Sequence, residues 1–163
     1  MGLDGPITLG EIDMQPIPTS HDAPGSCGWR LDTESGSVGF LTDTGYVTDE
    51  ALDLLPGVDF VILESNHDVE SLCSGPYPYY LKQRISGDLG HLSNESAGKL
   101  LGQVLHDDMK AVFLGHLSKE NNYAELAYET VKLELMLNES PYKPGDFPMW
   151  VASRDEQSEC VAI

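Results

Sequence analysis

Apolar and polar positions change period along the chain, and the changes mark out its elements. Val38-Gly39-Phe40-Leu41, Phe60-Val61-Ile62-Leu63 and Ala111-Val112-Phe113-Leu114 are apolar runs rich in sheet-favouring side chains. Each is too short for a helix and reads as a buried strand. Met149-Trp150-Val151-Ala152 predicts a fourth. Ile7 to Thr19 and Gly28 to Leu31 add strands around the turn-rich Ser20 to Gly25, and Glu34-Ser35-Gly36 predicts a hairpin bend before Val38. The period then becomes helical. Ala97, Leu100, Leu101, Val104 and Leu105 recur at helical spacing after Asn94, which predicts an N-cap there, an acid (Glu95) in the first turn and a helix to about Asp108. Asn122 with Glu125 three places on predicts a capping box, and Ala124, Ala127, Tyr128, Val131 and Leu135 then form one apolar face. Strands alternating with helices predict an α/β layered domain.

Composition narrows the class. A length of 163 residues suits one domain, and 40% hydrophobic with 22% charged residues excludes a disordered tail or a fibre. No apolar run approaches the roughly 18 residues needed to cross a bilayer, and Met1-Gly2-Leu3-Asp4 lacks the basic then apolar layout of a signal peptide. A cytoplasmic protein without a membrane partner is expected. The formal charge of -18 repels nucleic acid unless local charge runs otherwise. It does so in part: residues 1–81 hold fourteen acids and one base, whereas 82–163 hold thirteen acids and eight bases, with basic side chains gathered between Lys82 and Lys119. Cys27, Cys73 and Cys160 are odd in number and far apart, so reduced, buried thiols are expected.

The informative chemistry follows the strands. Leu41 is followed by Thr42-Asp43-Thr44-Gly45, Leu63 by Glu64-Ser65-Asn66-His67-Asp68, and Leu114 by Gly115-His116-Leu117-Ser118. Polar residues released at the ends of buried strands converge on one sheet edge, where α/β proteins commonly bind ligands. His21 and His91 stand in similar Gly, Ser and Asn surroundings. Imidazoles with a carboxylate suit zinc, or manganese and iron in a more oxygen-rich site, although no pair has the spacing of a short ligand motif.

Plainer readings stand beside these. Asp43-Thr44-Gly45 taken alone is an Asx turn. The same tripeptide occurs in aspartic proteases, where a homodimer supplies the second carboxylate, but Tyr46 is large for the next position and the histidines gain no role. His67 is either a hydrogen-bond partner behind a ligand or a loop histidine. Tyr77, Tyr79 and Tyr80 with Lys82 and Arg84 either stack bases and meet phosphates or form a rigid loop around Pro76 and Pro78. His106, at a helix end beside Asp107 and Asp108, reads as a surface residue, and Asp155 to Glu159 as a solvated tail.

In order, Thr19-Ser20-His21-Asp22-Ala23, Thr42-Asp43-Thr44-Gly45-Tyr46, Leu63-Glu64-Ser65-Asn66-His67-Asp68, Tyr77-Pro78, Leu81-Lys82, Arg84-Ile85, Gly90-His91-Leu92-Ser93-Asn94 and Gly115-His116-Leu117-Ser118-Lys119-Glu120-Asn121-Asn122 resemble the YycJ/VicX-type metallo-β-lactamase-fold hydrolases. The resemblance runs from Thr19 to Asn122. The family is similar to the tRNase Z and RNase J nucleases, and the likeness implies an αββα sandwich with two divalent metals, zinc or manganese, and a phosphodiesterase that acts as a DNA exonuclease.

By that resemblance His21 matches a histidine ligand of one metal, Asp43 the carboxylate bridging both, and His116 a histidine ligand of the other. Glu64 and His91 match a pair assisting proton transfer to the leaving oxygen, and Ser118 and Asn122 are placed to hold a phosphate. The family's His-x-His-x-Asp-His motif is absent from the 163 residues. The chain is therefore expected to be the C-terminal half of the sandwich, spanning residues 1–163 of a partial domain and inactive alone, since three ligands hold two metals poorly. Its inner sheet face is expected to be apolar and to favour the missing half or self-association. The alternative is a non-catalytic remnant or interaction module of the same fold.

Overall fold

Seven strands lie in chain order in one sheet of the computed structural model, which describes residues 5–158 and 160. Strands β1 (Ile7–Leu9), β2 (Ile12–Pro18), β3 (Cys27–Thr33) and β4 (Gly36–Leu41) form an antiparallel meander. From β4 onward, β5 (Phe60–Glu64), β6 (Ala111–Gly115) and β7 (Met149–Val151) pair in parallel. Parallel neighbours require crossovers. Helix α1 (Asp49–Leu54) makes the first; α2 (Val69–Ser74), α3 (Tyr79–Ser86) and α4 (Asn94–Val104) make the second; α5 (Ala124–Leu137) makes the third. The carboxyl ends of β4, β5 and β6 thus open on one edge, as the strand-end pattern predicts.

Several local expectations need correction. The Ile7 to Thr19 stretch is two strands, because Gly10 takes φ +64 and turns the chain between them. Helix α4 starts after Ser93, whose hydroxyl accepts from Ser96 N, and stops at Val104 rather than Asp108. Asn94 is the first helical residue, and its buried side chain is turned to other work. No capping box opens α5: Tyr123 occupies the N-cap without a side-chain bond. Helices α1 and α2 carried a legible cap each, Thr48 accepting from Ala51 N and Asp68 from Ser71 N, but are too short to show a period. The cysteines are free, but Cys27 is half-buried and Cys73 and Cys160 are exposed. Cys73 follows Leu72, the buried residue of α2, and so faces outward.

The core lies between one sheet face and helices α1, α4 and α5. Gly39, Val61 and Val112 align across the sheet, as do Leu41, Leu63 and Leu114, and the apolar side chains pack under Ala51, Leu55, Leu101, Val131 and Leu135. Helices α4 and α5 meet at Gly98, where an added Cβ would lie 2.5 Å from Glu134 Cβ. On the opposite face the register aligns Trp29, Phe40, Ile62, Phe113 and Trp150 in one row. Phe113 stacks on Trp150 at 5.2 Å between ring centroids, while Phe40 remains 37% exposed. This second face is apolar surface. Among the described residues no helix is long and apolar enough to cross a membrane. Met1 to Asp4, on which the absence of a signal peptide was read, lie outside the described residues.

Candidate metal centre

Five expected residues meet at the edge formed by the strand ends. Asp43 follows β4, Glu64 ends β5 and His116 follows β6, while His21 and His91 come from the loops after β2 and before α4. The Asp43 Oδ1 atom lies 3.7 Å from His21 Nε2, 3.6 Å from His116 Nε2 and 3.8 Å from His91 Nδ1. The rings are close: His21 to His91 is 4.9 Å between centroids and His91 to His116 is 5.2 Å.

Glu64 organises this cluster from beneath. It is fully buried, and its Oε1 accepts from His91 Nδ1 at 2.8 Å and His116 Nδ1 at 2.7 Å. Its Oε2 accepts from the backbone N–H groups of Thr44 and Leu92. Burial alone would raise this carboxyl group, but the hydrogen bonds from His116 and His91 prevail and hold it at about 2. Its hydrogen bond in turn raises the His116 imidazole against the opposing effect of burial.

The tautomers follow from these bonds. Glu64 fixes a hydrogen on Nδ1 of His116, and Gly90 O does the same for Nδ1 of His21 at 2.9 Å, so each ring presents a bare Nε2 towards Asp43. The separations of 3.6 and 3.7 Å are too long for hydrogen bonds. They match two donors at about 2.1 Å from one shared cation. Asp43, Glu64, His91 and His116 offer ligand atoms within 4.8 Å of one another. Glu64 is spent on four hydrogen bonds and His91 Nδ1 on one of them, while Nε2 of His21, Nε2 of His116 and the Asp43 carboxylate are atoms that could hold a cation. Two imidazoles and a carboxylate fit a divalent cation such as zinc.

The loops are locked to one another. Thr44 Oγ1 accepts from Ser20 N at 3.1 Å, and Gly45 N donates to Ser20 O at 2.7 Å, tying the Asp43 loop to the His21 loop. A Cβ on Gly45 would lie 2.3 Å from Asp88 O, so the turn tolerates no side chain. Asp43-Thr44-Gly45 is therefore more than an Asx turn, and its carboxylate faces three imidazoles rather than a second carboxylate. The aspartic-protease reading has no support in this geometry.

Asn66 holds the other side, its Nδ2 donating to His116 O and its backbone carbonyl accepting from Ser118 N. Asn122 does not reach out as expected: its Nδ2 donates to Ser65 O, Asn66 O and Asn94 Oδ1, while Ser65 Oγ also donates to Asn94 Oδ1. Sequence reasoning missed this Ser65–Asn94–Asn122 network, since such residues are indistinguishable from loop and cap residues until the fold brings them together. Ser118 lines the cleft beside His116, with its hydroxyl accepting from Asn121.

His67 is buried, not a surface loop residue; its Nδ1 has no hydrogen-bond partner and burial lowers its pKa to about 4. His106 is half-buried, its Nε2 meeting Val58 O at 2.8 Å. The tyrosines part company. Tyr77 is half-buried beside the cleft, whereas Tyr79 and Tyr80 are exposed, Lys82 donates to Cys73 O, and Arg84 pairs with Asp22.

Known proteins resemble this chain in sequence and in fold. The beta-lactamase superfamily domain matches residues 1–116. Exodeoxyribonuclease WalJ of Streptococcus pneumoniae (strain R6) is 45% identical over 128 residues, which is 78% of this chain and 48% of that protein. Exodeoxyribonuclease YycJ of Bacillus anthracis is 39% identical over 124 residues, or 76% of this chain and 47% of that protein. The chain spans about half the length of these curated relatives. The metallo-beta-lactamase fold protein YhfI from Bacillus subtilis superposes with a TM-score of 0.64 at 18% identity, over 93% of this chain and 51% of that one. With its strand-end histidines and carboxylates gathered on one edge and its first 116 residues matching the domain, the chain belongs to the beta-lactamase superfamily.

Proposed function

We propose that this chain carries part of the metal centre, and the proton-transfer pair, of a DNA exonuclease that hydrolyses phosphodiesters. The carrying observation is the Asp43 carboxylate facing His21 and His116 Nε2 while one buried carboxylate aligns His91 and His116. The relatives' names supply DNA as the substrate. His21, Asp43 and His116 would hold divalent cations, zinc by the donor types and manganese if more oxygen donors join. When bound, such cations supply Lewis acidity at a phosphoryl oxygen and an acidified water.

The chain's own residues do the rest. Glu64 keeps the hydrogen on His91 Nδ1, so His91 Nε2, after taking up a proton from solvent water, would hand it to the leaving oxygen. Ser118 is the phosphate contact beside His116, whereas Asn122 serves as a staple. The remaining donors come from a segment bearing His-x-His-x-Asp-His, and the Trp29, Phe40, Ile62 and Trp150 face seats it or, in its absence, drives self-association. A second reading is an interaction module of the same fold without turnover.

A chimera joining this chain to the remainder of the pneumococcal relative separates the two. Release of nucleotides from linear DNA with bound divalent metal supports the exonuclease. His91→Ala and Glu64→Gln should lower turnover with His91→Ala leaving the metal content intact; a folded, metal-loaded chimera without turnover supports the module.

A further inference from the structure

The cleft beside His116 has a volume of about 480 Å³ and lies at the carboxyl ends of β6 and β7. Tyr77, Ser118, Lys119 and Arg154 line it, and none of its lining residues is an acid. That is unusual for this chain, with 27 acids and nine bases. Arg30, Arg84, Lys110 and Lys132 all form ion pairs, with Asp32, Asp22, Asp59 and Glu129. Among the described residues Lys82, Lys99, Lys119, Lys143 and Arg154 form none, and of these five Lys119 and Arg154 line the cleft. Arg154 is anchored instead to Leu117 O, the carbonyl of the residue after His116, which holds its guanidinium at the cleft. Two cations without an ion-pair partner among the described residues, and one aromatic ring, thus border His116.

We propose that this cleft is the subsite for a nucleotide next to the scissile phosphodiester, with the Tyr77 ring against the base and Lys119 and Arg154 against the backbone phosphates. Two cations lining one cleft suit a run of phosphates, and a ring that stacks any base suits an enzyme that advances along a strand without reading sequence. The local field also explains how a chain of charge -18 admits a polyanion: the attraction is confined to the site. The subsite rests on the phosphodiesterase reading, but its test does not require turnover.

The test uses the chain as it stands, in EDTA, with a fluorescein-labelled oligothymidylate of about twelve nucleotides as the probe and anisotropy as the readout. Lys119→Ala and Arg154→Ala should each weaken binding several-fold and flatten the log–log salt dependence by about 0.7. Tyr77→Ala should weaken binding by about 5- to 100-fold, and Tyr77→Phe should retain it because the ring does the stacking. Lys99→Ala, an exposed cation on α4 away from the cleft, is the charge-matched control and should change binding least. Cleft variants no weaker than that control would overturn the subsite. So would failure of the unaltered chain to bind at low salt, or equal, Tyr77-dependent binding of a polyglutamate of matched charge. Metal content, measured separately, reports on the exonuclease reading: its loss with oligonucleotide binding intact would sink that reading and not the cleft.

Discussion

Asp43 and His116 face each other across the ends of β4 and β6, 3.6 Å from Oδ1 to Nε2, and both hold a left-handed backbone, at φ 56 and φ 57. For residues other than glycine this conformation is uncommon and unfavourable. It persists because the surroundings fix it: Asn66 Nδ2 holds the His116 carbonyl, and Thr44 N, next to Asp43, is held by Glu64. The strain aims the two side chains at one point. His116→Gly and His116→Ala both remove the imidazole and differ only in backbone freedom, so the glycine variant should be about 1 kcal/mol more stable. Urea unfolding of the two proteins gives the comparison.

Glu64 is a buried anion that is useful only with its partners in place. Glu64→Gln keeps the shape but replaces a charged acceptor of four N–H groups with a neutral amide, half of which is a donor. We expect a loss of about 1 to 3 kcal/mol in denaturant unfolding. Released from their shared oxygen, His91 and His116 lose orientation, and affinity for zinc should fall about 10- to 100-fold by competition with a chromophoric chelator.

His67 makes the fold sensitive to acid. Its pKa is about 4 in the folded chain against 6.5 ordinarily, with burial as the main cause. Between these values the unfolded chain takes up the proton first, so unfolding is favoured as pH falls from 6.5 towards 4. The contribution reaches about 3 kcal/mol at the acid end. His67→Leu should flatten the dependence of the urea midpoint on pH across that window, whereas an unchanged slope would place its origin elsewhere.

Gly98 sets the closeness of α4 and α5. Alanine is the better helix former by about 1 kcal/mol, but its methyl group would sit 2.5 Å from Glu134 Cβ, which belongs to the facing helix. Overpacking of that kind typically costs about 1 to 3 kcal/mol, so Gly98→Ala should lower the thermal midpoint despite the propensity gain.

The strand ends were legible in the sequence because a buried apolar run that stops abruptly at Asp43, Glu64 or His116 marks both the strand and the edge on which it opens. The helices α4 and α5 were legible because their apolar residues recur at helical spacing. Their ends were not: Asn94 and Ser93 are equally good caps, and only the buried contact with Ser65 and Asn122 decides that Asn94 turns inward. Asn122 looked like a surface donor because nothing local shows that three inward acceptors surround it. The burial of His67 and the exposure of Cys73 are tertiary facts in the same sense, set by which face of a short segment meets the body of the protein.

Metal content most directly tests whether His21, Asp43 and His116 grip the same cations. The measurement is mass spectrometry of zinc- or manganese-loaded protein after exhaustive dialysis, on the chimera with the remainder of the pneumococcal relative, alongside His21→Ala, Asp43→Asn and His116→Ala. The unaltered protein should retain about two ions per molecule, and each folded variant about one or fewer. Equal metal content in all four proteins would contradict the shared centre.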